Sequence, residues 1–200
     1  MSETTINGRQ AAHGVDPIFL ERWSPRAFTG EAMPPELLDR LFEAAGWAPS
    51  AFNGQPWRFV YAHKGTADWD RLFDVLIPYN QGWVKHASVL MFVVSDRWRR
   101  KAGAEPTPMR SHSFDAGAAW GYLALQASRM GWAAHGMAGF DVQRAYEAVG
   151  ASETEHCVEA AVAVGRPTDA SILDEPYRSR EVPSQRNPVS SFAFEGRLKA

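Results

Sequence analysis

One continuous apolar run, Ala87–Ser95 (ASVLMFVVS), constrains the fold more than any other part of the 200-residue chain. A strand without polar alternation is typical of a sheet that is covered on both faces. Val158–Val164 is another apolar strand candidate. Strands and helices are interspersed along the chain, but without the regular spacing of a doubly wound fold. The sequence therefore predicts an α+β sandwich built around one central sheet.

Capping residues, prolines and glycines set the limits of the other elements. Two further strands are predicted at Trp57–Tyr61 and Trp132–Ala138. Helix-start signals and apolar periodicity predict five helices, which begin near Asp16, Pro34, Thr66, Ser113 and Asp141. The stop signals for these helices are Pro25, Pro49, Pro78, Gly131 and Gly150.

The two ends of the chain differ from this pattern. Residues 1–14 are polar and aperiodic, which predicts a flexible N-terminal arm ahead of a single domain that spans residues 15–200. Residues 168–200 contain three prolines and no helical periodicity. A tail of this length is unusual in a compact monomer. We therefore predict an extended C-terminal arm that clasps a second subunit and buries Phe192 and Phe194.

Charge and cysteine content exclude several protein classes. The net charge of −2 and the pI of about 6.3 argue against a nucleic-acid-binding protein. The longest apolar run is too short to span a bilayer, and the N-terminus lacks the apolar region of a signal peptide. Cys157 has no partner cysteine in the chain, so we expect a reducing compartment, the cytoplasm.

The segment Ala48–Tyr61 (APSAFNGQPWRFVY) combines features that a ligand-binding loop requires. Pro49 and Pro56 restrict the backbone, and a glycine permits close approach. The side-chain amides of Asn53 and Gln55 offer both donors and acceptors. The segment could hold a planar polar ligand, or it could be an ordinary connection between a helix and a strand.

A second candidate site is the sequence Arg22-Trp23-Ser24-Pro25-Arg26. Two guanidinium groups and a hydroxyl would suit a phosphate dianion, although both arginines could equally be exposed surface residues. Arg186 is a distant third candidate. The segments Pro78–Trp83 and Arg97–Arg110 are candidate lids.

Other chemistries lack their sequence signals. No P-loop, dinucleotide-binding glycine motif, zinc-protease motif or nucleophile elbow is present. The six histidines lack metal-ligand spacing, and no pair of carboxylates indicates acid–base catalysis. We therefore predict no metal site and no catalytic side chain, and we expect the chemistry to come from a cofactor.

With its motifs taken together, the chain resembles the nitroreductase family of FMN-dependent oxidoreductases. The resemblance starts with R-x-S-x-R and A-P-S-x-x-N-x-Q-P-W and covers about residues 18–197. It continues in order through Asn80-Gln81-Gly82-Trp83, Gly136–Asp141, Val164–Pro167 and Arg186. The chain departs from the family at Trp23, where many members carry a polar or basic residue, and at Ser184, where some carry lysine.

The resemblance implies a nitroreductase-like α/β/α sandwich with a central mixed, mainly antiparallel sheet. It also implies a homodimer with two FMN sites at the subunit interface. Arg22, Ser24, Arg26 and Arg186 would then hold the phosphate end of the cofactor, and Ser50, Asn53 and Gln55 would reach the flavin of the partner subunit. Backbone amides at Ala138 and Gly139 would approach flavin N5. The implied cofactor-binding set also includes Trp23, Pro49, Asn80, Lys85 and Met137.

The implied activity is ping-pong hydride transfer from NADPH or NADH, through FMN, to a nitroaromatic, a quinone or an activated alkene. Trp83 would line the substrate side, although a core position is an equal alternative. Two other functions stay open: a flavin-binding storage or sensing protein without turnover, and a reductive dehalogenase or flavin-fragmenting enzyme of the same superfamily.

Overall fold

A computed structural model describes residues 4–198 of the chain. Its strands are β1 (Thr4–Ile6), β2 (Arg9–Ala11), β3 (Trp57–His63), β4 (Val89–Asp96), β5 (Trp98–Arg99), β6 (Thr107–Pro108), β7 (Ala133–Met137) and β8 (His156–Gly165). Its α-helices are α1 (Ile18–Glu21), α2 (Pro35–Gly46), α3 (Ala67–Phe73), α4 (Pro78–Val84), α5 (His112–Arg129) and α6 (Val142–Val149). Within residues 4–198, no helix has the length and apolarity needed to cross a membrane.

Four strands form the central sheet, in the order β3-β4-β8-β7. The register places Phe92 of β4 opposite Val60 of β3 and Ala161 of β8. The predicted sheet was mixed and mainly antiparallel, whereas all three pairings among residues 4–198 are antiparallel. Helices connect β3 to β4 and β7 to β8. Each connection leaves and re-enters the sheet at the same end, so the two strands that it joins run in opposite directions.

The central strand β4 is covered on both faces, as its apolar run predicts. Leu90, Phe92 and Val94 pack in a core cluster with helices α3, α4 and α6. The alternate residues Val89, Met91 and Val93 pack in a second cluster with α2 and α5. The molecule is therefore an α/β/α sandwich, and the predicted fold class is confirmed.

Local sequence signals explain where two of the helices begin. The hydroxyl of Thr66 accepts a hydrogen bond from the Trp69 amide at 3.2 Å and caps α3. The carboxylate of Asp141 accepts one from the Arg144 amide at 3.1 Å and caps α6. Helix α6 ends at Gly150, which has a φ of 69° that favours glycine. The predicted helix starts at Thr66 and Asp141 are confirmed.

The predicted aperiodic arm at the N-terminus contains a hairpin. Strands β1 and β2 pair antiparallel across Asn7-Gly8, whose φ angles of 55° and 69° both lie in the left-handed region. Asn-Gly is the preferred dipeptide for such a two-residue turn. The aperiodic assignment was therefore wrong for residues 4–11, because the strands are only three residues long and show little alternation.

The predicted lid Pro78–Trp83 is a helix that belongs to the core. Pro78 occupies the first turn of α4, where its missing N–H has no cost. Asn80, Trp83 and Val84 are buried. The assignment of this segment as a lid was wrong, because the proline starts a new helix rather than a loop.

Part of the predicted clasping arm packs on its own chain. Leu173 is 2% exposed in the core, and the Tyr177 hydroxyl donates to the Tyr79 carbonyl at 2.8 Å. By contrast, Val189 and Phe192 are 48% and 65% exposed. Clasping of a second subunit therefore stays a prediction only for the segment after about Ser184.

Candidate functional site

The loop after α1 places Arg22, Ser24 and Arg26 at a strongly cationic cavity of about 350 Å³, here called the arginine cavity. The other walls come from β2, from β7 and from the C-terminal segment. The full lining is Arg9, Arg22, Trp23, Ser24, Arg26, His135, Arg180, Val182, Ser184 and Arg186. The structure thus brings Arg186 to the R-x-S-x-R loop across more than 150 intervening residues.

Arg9 fixes three segments of this cavity and was missed by the sequence analysis. Its Nη1 atom donates to the carbonyl oxygens of Arg22 at 2.8 Å and Leu20 at 3.1 Å. Its Nε atom donates to the carbonyl oxygen of Ser184 at 2.9 Å. The only sequence signal was an arginine next to an Asn-Gly turn, which does not reveal a contact with residue 184.

The positive charges in the arginine cavity are incompletely balanced. Burial lowers the pKa of Arg9, and the guanidinium groups of Arg186 and Arg22 lower it further. Burial also lowers the pKa of Arg22, again with a contribution from Arg186. Guanidinium groups that disfavour one another's charge gain stability from a bound anion, so the cavity fits a phosphate group.

One carboxylate lies beside the cavity, but it is engaged in holding the loop. Glu181 Oε1 accepts hydrogen bonds from the backbone amides of Arg26 at 2.6 Å and Ala27 at 2.8 Å. Its other oxygen lies 3.8 Å from Arg26 Nη1. The Nε atom of Arg26 is buried without a hydrogen-bond partner among the described residues, so this side chain retains an unused donor.

His135 is a second residue that sequence reasoning did not select. Its Nδ1 atom lies 2.9 Å from the Pro25 carbonyl oxygen, and its ring centroid lies 4.6 Å from that of Trp83. Burial, helped by the charges of Arg26 and Arg22, lowers the pKa of His135 to about 4. The imidazole is therefore neutral at pH 7, and the Nδ1–H donates to the Pro25 carbonyl oxygen.

An apolar cavity of about 600 Å³ adjoins the arginine cavity and shares Arg22 and Ser24 with it. It crosses the surface of β7 and β8 beneath α5. The remaining lining is Phe19, Trp120, Gly121, Ala124, Leu125, Gly136, Met137, Ala138 and Ala160. The combined shape, one cationic end and one apolar end, suits a planar molecule that carries a phosphate.

The turn after β7 is fixed by helix α4. The Gly139 carbonyl oxygen accepts hydrogen bonds from Asn80 Nδ2 at 2.8 Å and from the Ile77 amide at 3.1 Å. A Cβ atom on Gly139 would lie 2.5 Å from Asn80 Nδ2 and 2.8 Å from Ile77 Cδ1. A side chain at residue 139 would therefore displace the ends of the Asn80 and Ile77 side chains, which pack closely on this turn beside the apolar cavity.

Three predicted site residues at helix α4 line neither cavity. Asn80 is buried and its amide is engaged by Gly139. Lys85 lies at the exposed C-terminal end of α4. Trp83 is 1% exposed and packs against Phe28 and His135. The substrate-lining interpretation of Trp83 was wrong, and its core alternative agrees with the structure, because α4 faces the core with Trp83 and Val84.

The segment Pro49–Gln55 also lies apart from both cavities of its own chain. Ser50 Oγ accepts a hydrogen bond from the Gln55 amide at 3.1 Å, which closes the loop. Phe52, Asn53 and Gln55 all have positive φ angles, of 54°, 54° and 47°. Left-handed conformations in residues other than glycine are strained, and a cluster of them often marks a functional loop. Phe52 is 87% exposed.

The chain is similar in sequence to known proteins. The Nitroreductase family profile matches residues 20–78 and 75–166. An NADH dehydrogenase of Thermus thermophilus is 27% identical over 195 residues, which cover 84% of this chain and 91% of that protein.

Solved structures extend the similarity to nearly the full length of the chain. The crystal structure of an oxidoreductase containing FMN is 50% identical, covers 98% of each chain and superposes with a TM-score of 0.93. A nitroreductase family protein of Streptococcus pneumoniae has the same fold, with a TM-score of 0.68 at 20% identity over 89% of this chain and 98% of that one. The chain therefore belongs to the nitroreductase family, as its motifs predicted.

Proposed function

We propose that this protein is an FMN-dependent oxidoreductase that transfers hydride from NADPH or NADH to a nitroaromatic, a quinone or an activated alkene. The observation that carries the proposal is the arginine cavity, which continues into the apolar cavity through Arg22 and Ser24. FMN has a phosphate dianion at one end and a planar tricyclic ring at the other. The FMN contained in the 50%-identical oxidoreductase supports the same cofactor here.

The arginine cavity would hold the phosphate. Arg22, Arg26 and Arg186 supply the charge, and the Ser24 hydroxyl supplies a neutral hydrogen bond. Arg9 and Arg180 add cationic walls, and Trp23 closes the side of the cavity. A neutral His135 can accept a hydrogen bond at Nε2 because its Nδ1–H is used by Pro25.

The apolar cavity would hold the flavin ring along β7. Bound FMN would supply the hydride-transfer chemistry between the nicotinamide and the acceptor. Met137, Ala138 and Gly139 would place backbone beside flavin N5, where an amide donor steadies the reacting atom. Asn80 would act as a positioning residue, because its side chain donates a hydrogen bond to the Gly139 carbonyl oxygen and lines neither cavity.

Residues Pro49, Ser50, Asn53 and Gln55 would complete the flavin site of a partner subunit in a homodimer. Their separation from the cavities of their own chain supports this role. Large side chains on the face formed by α1, α2 and α5 are also exposed, with Trp47 at 77%, Phe19 at 56% and Tyr122 at 44%. An apolar face of this kind indicates an interface, and a symmetric dimer would cover it twice.

The net reaction with a nitroaromatic would be NAD(P)H + H⁺ + ArNO₂ → NAD(P)⁺ + ArNO + H₂O. The donor and the acceptor would use the same flavin face in turn, which gives ping-pong kinetics. The name of the Thermus relative, NADH dehydrogenase, supports a nicotinamide donor. Cys157 has no cysteine partner, which supports a reducing, cytoplasmic location.

The visible spectrum of the purified protein, recorded without oxygen before and after addition of NADPH or NADH, tests the proposal. We expect flavin absorption that bleaches with the nicotinamide and returns with menadione. A colourless protein that takes up no added FMN would overturn the cofactor assignment. A yellow protein that oxidises neither nicotinamide with any acceptor would instead favour storage or sensing.

A further inference from the structure

A third cavity, of about 560 Å³, lies between the Pro49–Gln55 segment and the start of α5, and is here called the aromatic cleft. One wall is the small hairpin formed by β5 and β6, within the predicted lid Arg97–Arg110. The lining residues are Ala51, Phe52, Arg99, Thr107, Pro108, Met109, Arg110, Ser111 and Phe114.

Two internal contacts give the aromatic cleft a defined shape. Asp115 is 3% exposed, and its Oδ2 atom accepts hydrogen bonds from the Ala51 amide at 3.1 Å and the Ser111 hydroxyl at 3.0 Å. The Asp115 carboxylate thus links the wall at Ala51 to the wall at Ser111, and both hydrogen bonds are internal to the protein. Met109 packs so closely on Gly54 that a Cβ atom at residue 54 would overlap its side chain.

The arginines of the cleft differ from their neighbours in the same loop. Arg100 forms an ion pair with Glu155, and Arg97 donates to the His156 carbonyl oxygen at 2.7 Å. Arg99 and Arg110 form no ion pair with any residue of 4–198. The guanidinium of Arg99 lies 4.6 Å over the Phe52 ring, and its buried Nη1 atom has no hydrogen-bond partner in that range.

The chemistry of the walls defines the ligand. Phe52 and Phe114 are 87% and 82% exposed, so the Phe114 ring and the face of Phe52 opposite Arg99 are available to a flat partner. Arg99 and Arg110 provide planar donors that pair with a carboxylate. We propose that the aromatic cleft selects electron acceptors that carry a carboxylate on an aromatic ring. This inference rests on the proposed function, in which the adjacent Pro49–Gln55 segment reaches the flavin of the partner.

The test compares two acceptors that differ only in charge. The holoenzyme is assayed with NADH and either 4-nitrobenzoate or 4-nitrobenzamide, which share the ring and the reducible nitro group. We expect wild type to favour the carboxylate in kcat/KM, and Arg99→Gln to reduce this preference roughly tenfold, as the loss of a charge-assisted hydrogen bond implies. Arg110→Gln provides an independent measure if the first variant does not fold.

Arg100→Gln is the matched control, because Arg100 lies in the same loop but pairs with Glu155 and does not line the cleft. We expect this variant to keep the wild-type preference. An equal fall for both acceptors in Arg99→Gln, or an equal effect in Arg100→Gln, would overturn the inference. A variant that changes the KM for NADPH relative to NADH, but not the preference between the two acceptors, would assign the cleft to the nicotinamide cofactor. That result would also overturn the inference.

Calorimetric titration of 4-nitrobenzoate into the oxidised protein separates this inference from the proposed function. Binding that depends on Arg99, without any turnover, would support the aromatic cleft and contradict the enzyme proposal. Equal turnover of both acceptors, with no binding difference between wild type and Arg99→Gln, would support the enzyme proposal and overturn the ligand assigned to the cleft.

Discussion

Arg9 Nη1 lies 2.8 Å from the carbonyl oxygen of Arg22, so the N-terminal hairpin is joined directly to the phosphate-binding loop candidate. The same side chain reaches the Ser184 carbonyl oxygen through Nε. One guanidinium therefore sets the spacing of three chain segments around the arginine cavity, in addition to its own charge.

Arg9→Gln is expected to lower the affinity for FMN by about tenfold or more, because it removes a charge and disrupts three charge-assisted hydrogen bonds. The affinity for riboflavin, which lacks the phosphate, should change much less. Quenching of flavin fluorescence measures both. Arg71→Gln, which disrupts an exposed pair with Asp68 on α3, serves as the control and should leave both affinities unchanged.

Gly139→Ala is expected to destabilise the protein by about 1–3 kcal/mol, since the new methyl group would displace the side chains of Asn80 and Ile77 and disturb the hydrogen bond from Asn80 to the Gly139 carbonyl oxygen. Gly117→Ala is the matched control, because a Cβ atom there meets nothing within 4 Å on helix α5. It should stabilise by roughly 0.5–1 kcal/mol. Urea unfolding gives both values, and equal effects would contradict the close approach at Gly139.

The neutral state of His135 should make stability depend on pH. Its folded-state pKa of about 4 lies below the ordinary value of 6.5, so the unfolded chain binds more protons between these values. Stability is then fully present above pH 6.5 and is lost as the pH falls towards 4. The loss between pH 7.5 and 5 is about 2 kcal/mol. His135→Asn should remove this component in urea unfolding of FMN-free protein, whereas His13→Asn, at an exposed position, should retain it.

Asp115→Ala is expected to cost about 1–3 kcal/mol, because the Ala51 amide and the Ser111 hydroxyl lose their shared acceptor. Ser111→Ala removes only one of these hydrogen bonds and should cost less. Thermal unfolding of both variants checks the order. A larger loss in Ser111→Ala would mean that the carboxylate does not fix the loop.

Trp47→Glu is expected to shift the protein to a monomer, because charged residues are disfavoured inside an apolar interface. The same variant should weaken FMN binding by about tenfold or more. Light scattering after gel filtration gives the mass, and fluorescence gives the affinity. Val142→Glu, on the half-exposed start of α6, should change neither. A monomeric Trp47→Glu protein that binds FMN at full affinity would contradict a site shared between subunits.

The parts of the fold that the sequence predicted are those with strong local signals. The apolar run at Ala87–Ser95 and the cap at Thr66 each determine their own conformation, and the structure has a strand and a helix there. Pro78 was assigned as a stop signal, but a proline can equally begin a helix. The Asn7-Gly8 turn carried a readable hairpin signal that short, polar strands obscured.

The residues of the candidate site also divide into those that the sequence predicted and those that it missed. The R-x-S-x-R loop and Arg186 were found because they form part of a family pattern, and the structure brings them to one cavity. Arg9, Arg180 and His135 join that cavity only through tertiary packing, and no spacing rule connects residue 9 with residue 184. The role proposed for the Pro49–Gln55 segment depends on a second copy of the chain, which local sequence signals do not describe.

Because its walls come from Arg9 near one end of the chain and Arg186 near the other, the arginine cavity is complete only when residues 9–186 are all present. A chain that ends before residue 184 has the R-x-S-x-R loop but lacks both the Arg186 guanidinium and the Ser184 carbonyl oxygen that anchors Arg9. Both terminal regions of the described chain therefore shape this cavity, and loss of the C-terminal segment alone would open one of its walls.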